Sequence, residues 1–188
     1  FGEHLPDDFA RFQSLYRQAS SALLKAAGKQ GWGMPLLGAS LALLLLFPLR
    51  IWLRHLGRRY AASERAPDGR LRRTGLAVWL LLVGTLLPGF AATVLIASLQ
   101  AIDAIAPRLE SVANAFVAAT FVAAFIGAVA ASLLVPSRPT WRLLDIDDVA
   151  AARLRRFAWG AASLTWLTML LREVNRAART SAVGTVTL

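Results

Sequence analysis

The side chains with the most chemical capacity in this sequence are its arginines. Those with the most regular spacing are Arg50, Arg54, Arg58 and Arg59, which follow an apolar run at nearly helical intervals. Just past an apolar segment their long stems can snorkel toward lipid phosphates, which makes these four candidate contacts for anionic lipid. Charge that only sets membrane topology is the competing reading. Asp145, Asp147 and Asp148 are a second constellation. Three close carboxylates could begin a divalent-metal site, but neither the glycine turn nor the twelfth-position glutamate of a calcium loop follows. They read as helix caps, with Asp147 best placed. His4 and His55 stand far apart and without catalytic partners, and the chain has no cysteine, which removes disulfides, thiolate ligands and cysteine nucleophiles. Nucleophile elbows, phosphate loops and metal-binding helices do not occur. No enzymatic activity, metal or cofactor is expected.

What positions the arginines is a set of long apolar segments. Thr74 to Ile102 carries no charged side chain, well beyond the roughly 20 residues a helix needs to cross a bilayer. Arginine is dense before it, in GRRYAASERAPDGRLRR, and the nearly neutral DAIAPRLES follows it, so the arginine side is expected to be cytoplasmic. Of the 188 residues 56% are hydrophobic and 17% charged, with a net charge of +10. Such a charge could mark a nucleic-acid binder, but the arginines cluster in short connections between apolar blocks, where the positive-inside rule puts them, and no nucleic-acid partner is expected. No span carries an ionisable residue near its centre, which counts against a proton- or ion-coupled transporter.

The expected class is all-α, a polytopic membrane protein with about four transmembrane helices in two hairpins preceded by an amphipathic helix. Residues 1–30 form the soluble part: Pro6, Asp7 and Asp8 suit a helix start, and Phe9, Phe12, Leu15, Tyr16, Ala19, Leu23 and Leu24 share one face. That face could lie on the membrane or pack on another helix. Residues 31–188 form the transmembrane part, with spans at about 33–54, 76–99, 112–135 and 153–172. Pro48 is expected to kink the end of the first span, and Pro88 with Gly89 is a candidate hinge in the second. In the third, Ala115, Ala119, Ala123, Gly127 and Ala131 recur every four residues and form a small face for close helix packing, most simply against the second span. On that reading Gly127→Leu disturbs packing and Phe121→Leu is mild. A pore-lining role for this helix is the sharper alternative. The fourth span has only the charge-free run Phe157 to Leu171 and reaches full length if Arg153, Arg155 and Arg156 snorkel. Phe1 and the apolar ending TSAVGTVTL lead to the expectation that sequence continues on both sides.

Two stretches carry a family resemblance. FGEHLPDDFARFQSLYRQASSALL resembles the end of the extracytoplasmic N-terminal region of large bacterial members of the small-conductance mechanosensitive channel family. RPTWRLLDIDDVAAARLRRFAW resembles the cytoplasmic link between two of the additional membrane helices in the same proteins. The resemblance implies a multi-pass protein of the bacterial inner membrane with a periplasmic N-terminus. It also implies a homo-oligomer, a heptameric ring, in which these helices form a tension-sensing, lipid-facing layer. The family's glycine- and alanine-rich pore helix and strand-rich cytoplasmic domain do not occur in the 188 residues, and the Pro136-Ser-Arg-Pro exit of the third span departs from that pore helix. A structural or assembly scaffold subunit is the alternative reading, and a small transporter component a weaker one.

Overall fold

An apolar segment that meets lipid must satisfy its backbone internally, so long charge-free runs become helices. The computed structural model describes residues 32–62, 70–134 and 147–183, together with Arg17, Ser20, Ser21 and Gly28. Among the described residues there is no strand. Helix α1 (Gly33–Leu44) runs through a π-helical turn, Leu45–Leu49, into α2 (Arg50–Ala62). Then come α3 (Arg70–Gln100), a 3-10 turn (Pro107–Leu109), α4 (Glu110–Leu133) and α5 (Asp148–Val183). The amphipathic helix expected over residues 1–30 lies almost wholly outside the described residues.

Three helical stretches are long and apolar enough to cross a bilayer: Gly33–Gly57, Thr74–Gln100 and Glu110–Leu133. They coincide with the first three expected spans, as in a membrane protein. Helix α5 is not among them. It is the longest helix, at 36 residues, but it carries charge on both sides of Phe157 to Leu171. Its start agrees with the capping expectation: the Ala151 amide donates to the Asp147 carbonyl at 2.9 Å, which puts Asp147 at the N-cap position.

Pro48 has no amide hydrogen, so the α-helical bond to the Leu44 carbonyl cannot form. The chain answers with the π-helical turn that contains it. One residue more per turn rotates everything that follows by about 100° relative to a continuous α-helix. The arginines of α2 take their direction from that rotation. Pro88, by contrast, is contained within an uninterrupted α3.

Successive helices are antiparallel neighbours. Gly38 lies against Ser98 and Gly57 against Trp79, so α1 and α2 run opposite to α3; Gly84 meets Ala128 and Gly89 meets Phe121, so α3 runs opposite to α4. Trp166 on α5 meets Thr120 on α4. The size distribution is inverted relative to a water-soluble bundle. Ala42, Ala91, Ala119, Ala128 and Ala162 are among the buried residues, Ala119 with 0% exposure, and no large side chain among the described residues is fully buried. Leu76, Leu80, Val83 and Leu87 of α3 are buried beside them, but many large apolar side chains point outward, including Leu37 at 68% and Phe157 at 75% exposure. Lipid tails are as apolar as leucine, so burying leucine between helices gains little there, while small residues let backbones approach.

The α3–α4 connection is closed by an αL cap that the sequence does not announce with glycine. Asp103 has φ 52. Its amide donates to the Gln100 carbonyl at 2.9 Å and that of Ala104 to Leu99 at 3.0 Å, the paired bonds of a Schellman ending. Leu99 packs on the buried pair Ile102 and Ala104, the apolar contact that accompanies such an ending.

Candidate functional site: an arginine-lined cleft between the helices

The antiparallel order brings the C-terminal end of α2, the N-terminal ends of α3 and α5 and the C-terminal end of α4 to one end of the bundle. A cleft of about 830 Å³ lies among the helices. Arg50 and Arg54 from α2 and Arg155 and Trp159 from α5 line it. So do Ala123, Ala124, Gly127 and Ala131 of α4, together with Pro88, Thr120, Trp166 and Leu167.

Around Thr120 and Trp166 polar contacts leave little unsatisfied in apolar surroundings. The Trp166 Nε1–H donates to Thr120 Oγ1 at 3.2 Å, and the Thr120 hydroxyl donates to the Phe116 carbonyl at 2.7 Å. The rings of Phe116 and Trp166 pack edge to face with centroids 5.9 Å apart. Other hydroxyls also bond back to their own helices: Thr93 to the Gly89 carbonyl at 3.0 Å, Ser98 to Leu95 at 2.7 Å and Ser132 to Val129 at 2.9 Å. Some polar atoms depart from this pattern. Arg50 Nε and Thr85 Oγ1 are buried without a hydrogen-bond partner among the described residues. A guanidinium donor left so in a low-dielectric setting is costly.

The arginines singled out in the sequence divide between two settings. Arg50 and Arg54 line the cleft, whereas Arg59 is exposed outside it; the side chain of Arg58 lies outside the described residues. Arg54 lies beside the crossing of α3 and α4, where a Cβ on Gly84 would come within 3.8 Å of its Nη2. Arg155 was legible only as a snorkelling residue of the fourth span, and nothing local in the sequence pairs it with Arg50.

The small face of α4 divides too. Ala119 is packed, while Ala123, Gly127 and Ala131 face the cleft, and a Cβ built on Gly127 would meet nothing within 4 Å. Ala115, at the other end of the row, is half-buried. The tight approaches to α3 fall on the neighbouring rows. A Cβ on Gly84 would stand 2.7 Å from the Ala128 Cβ, and one on Gly89 would overlap the Phe121 ring. That ring also packs edge to face on Phe90, centroids 6.1 Å apart. Gly89 of the candidate hinge is therefore a packing position, and Pro88 borders the cleft. Among the described residues no cluster of histidine and carboxylate side chains could hold a metal ion.

No protein-family model, curated protein or solved structure matches this chain.

Proposed function

We propose that this chain is the N-terminal transmembrane, tension-sensing module of a mechanosensitive ion channel of the small-conductance family. In this reading it lies in the bacterial inner membrane as a homo-oligomer, with the arginine-bearing end cytoplasmic and the N-terminus periplasmic. Helix α5 serves as a fourth span by snorkelling Arg153, Arg155 and Arg156, so that the helices make two hairpins. The observation that supports the reading best is the serial array itself: many large side chains outward, small ones between helices, and a cleft among them. Membrane tension does work in proportion to the change in area, and antiparallel helices joined through alanine and glycine can change tilt without extracting a large side chain from a core.

The test is patch-clamp recording from liposomes containing the full-length protein. Pressure-evoked openings are expected, and replacing Arg54, Arg58 and Arg59 together by glutamine shifts the opening tension without changing conductance. No pressure-evoked current from correctly inserted protein would overturn the channel reading in favour of a scaffold. Topology is tested separately by cysteine labelling at positions 65 and 105, where only position 105 should label from outside intact cells.

A further inference from the structure

The contacts of α1 and α2 with α3 share one register. Gly38 lies against Ser98 and Gly57 against Trp79, and between these pairs Arg50 falls level with Leu86. Leu86 is next to Leu87, the middle residue of the apolar stretch Thr74–Gln100. In its own stretch, Gly33–Gly57, Arg50 is about 8 Å past the middle residue, Leu45. By sequence Arg50 follows a charge-free run; by depth it belongs to the membrane interior, where an arginine marks a functional site and calls for a counter-charge. None is supplied from within. Arg50 Nε is buried with no hydrogen-bond partner among the described residues, and so is Thr85 Oγ1, within one residue of the same level on α3. Arg54 differs in having an interaction of its own. No acidic side chain is among the described residues that line the cleft.

The cleft is also elongated. Its lining on α5 runs from Arg155 to Leu167, about 18 Å along the axis, and on α4 from Thr120 to Ala131, about 17 Å. Along α4, Ala123, Gly127 and Ala131 succeed one another at intervals of about one turn, and a Cβ on Gly127 would meet nothing within 4 Å. Rows of this kind let a second helix come close. A helix about 10 Å across, sunk to half its width over about 17 Å, displaces roughly 700 Å³. The cleft measures about 830 Å³.

We propose that this cleft seats one transmembrane helix of a partner protein, and that the partner helix carries a carboxylate near its middle. The helix lies on the alanine and glycine row of α4, and its carboxylate accepts paired N–H bonds from the Arg50 guanidinium. Apart, each charge sits unpaired in hydrocarbon; together they satisfy one another. A lipid phosphate is the poorer match, because it stays outside a hydrocarbon core of about 15 Å per leaflet while Arg50 lies close to the middle. A second copy of this chain lacks the group required. None of the three apolar stretches has an acidic residue inside its ends, and α5 has none between Asp148 and Glu173. The proposal does not depend on the channel reading, and its readout needs no current.

The test reconstitutes the full chain, with a fluorescent donor on Ile105→Cys, in phosphatidylcholine vesicles. The probe is an acceptor-labelled transmembrane peptide of about 20 alanine and leucine residues, with glutamate, glutamine or leucine at its centre, and energy transfer reads association. The glutamate peptide should bind about tenfold more tightly than the other two. Arg50→Gln should remove that preference, and Arg59→Gln, outside the cleft, should leave it unchanged. Gly127→Leu keeps every arginine and meets no protein atom at its Cβ, so it remains informative where the Arg50 variant fails to insert. It should abolish association of the glutamate peptide while thermal stability in detergent is preserved. No association, equal binding of the three peptides, a glutamate preference that survives Arg50→Gln, or wild-type binding by a folded Gly127→Leu variant would each overturn the proposal. Loss of association on adding phosphatidylglycerol to the vesicles would overturn it too, by assigning the cleft to lipid.

Discussion

The crossing of α3 and α4 at Gly84 gives the sharpest test of the packing. A methyl group added at Gly84 would stand 2.7 Å from the Ala128 Cβ and 3.4 Å from its Cα. Carbon atoms settle at roughly 3.5 to 4.0 Å, so the helices must part by about 1 Å. Overpacking of this kind typically costs about 1–3 kcal/mol. Gly84→Ala alone understates it, because alanine favours a helix over glycine by about 1 kcal/mol. A double-mutant cycle with Ala128→Gly cancels that propensity and leaves the contact. The coupling energy should be about 1–3 kcal/mol, with the double variant more stable than the sum of the singles implies. The assay is equilibrium unfolding in mixed detergent micelles, followed by circular dichroism. A coupling below about 0.5 kcal/mol, the usual scatter of additivity, would show that these two residues do not meet.

The turn at Asp103 and the ring contact of Phe121 can be tested in the same way. Asp103→Gly should stabilise by up to about 1 kcal/mol, because the αL cap no longer carries a Cβ, while Asp103→Val should cost about 1–2 kcal/mol in the same unfolding assay; equal effects would mean that the turn is not held at positive φ. Phe121→Leu should lose about 1 kcal/mol through its edge-to-face contact with Phe90, and a neutral result would show that the ring contact does not stabilise the pair.

The helices were legible because the absence of charge over a long run is a local property. The second span, expected at about 76–99, is found at Thr74–Gln100, and the third, expected at about 112–135, at Glu110–Leu133. Between elements the sequence said less. Periodicity placed Ala119, Ala123 and Gly127 on one face without telling which of them would meet a helix and which a cleft. That depends on the register of α4 against both neighbours. Arg155 joins Arg50 only through the fold, and Arg50 faces the cleft only after a π-helical turn whose sole local sign is Pro48. The cap at Asp103 was hidden for a simpler reason, since glycine is the usual marker of positive φ and aspartate is an infrequent substitute.

The placement of small residues inside and large ones outside reverses the customary pattern of mutational damage. In a water-soluble core, truncation opens cavities and is the dominant hazard. Here no large side chain among the described residues is fully buried, so shortening Leu37 or Phe157 takes away surface that lipid readily replaces. Adding one carbon at Gly38, Gly57, Gly84 or Gly89 puts it into a neighbouring helix. A saturation map of this protein should therefore show intolerant sites at Gly38, Gly57, Gly84 and Gly89 and permissive sites at outward residues such as Leu37 and Phe157. Hydrophobicity alone would rank them the other way round.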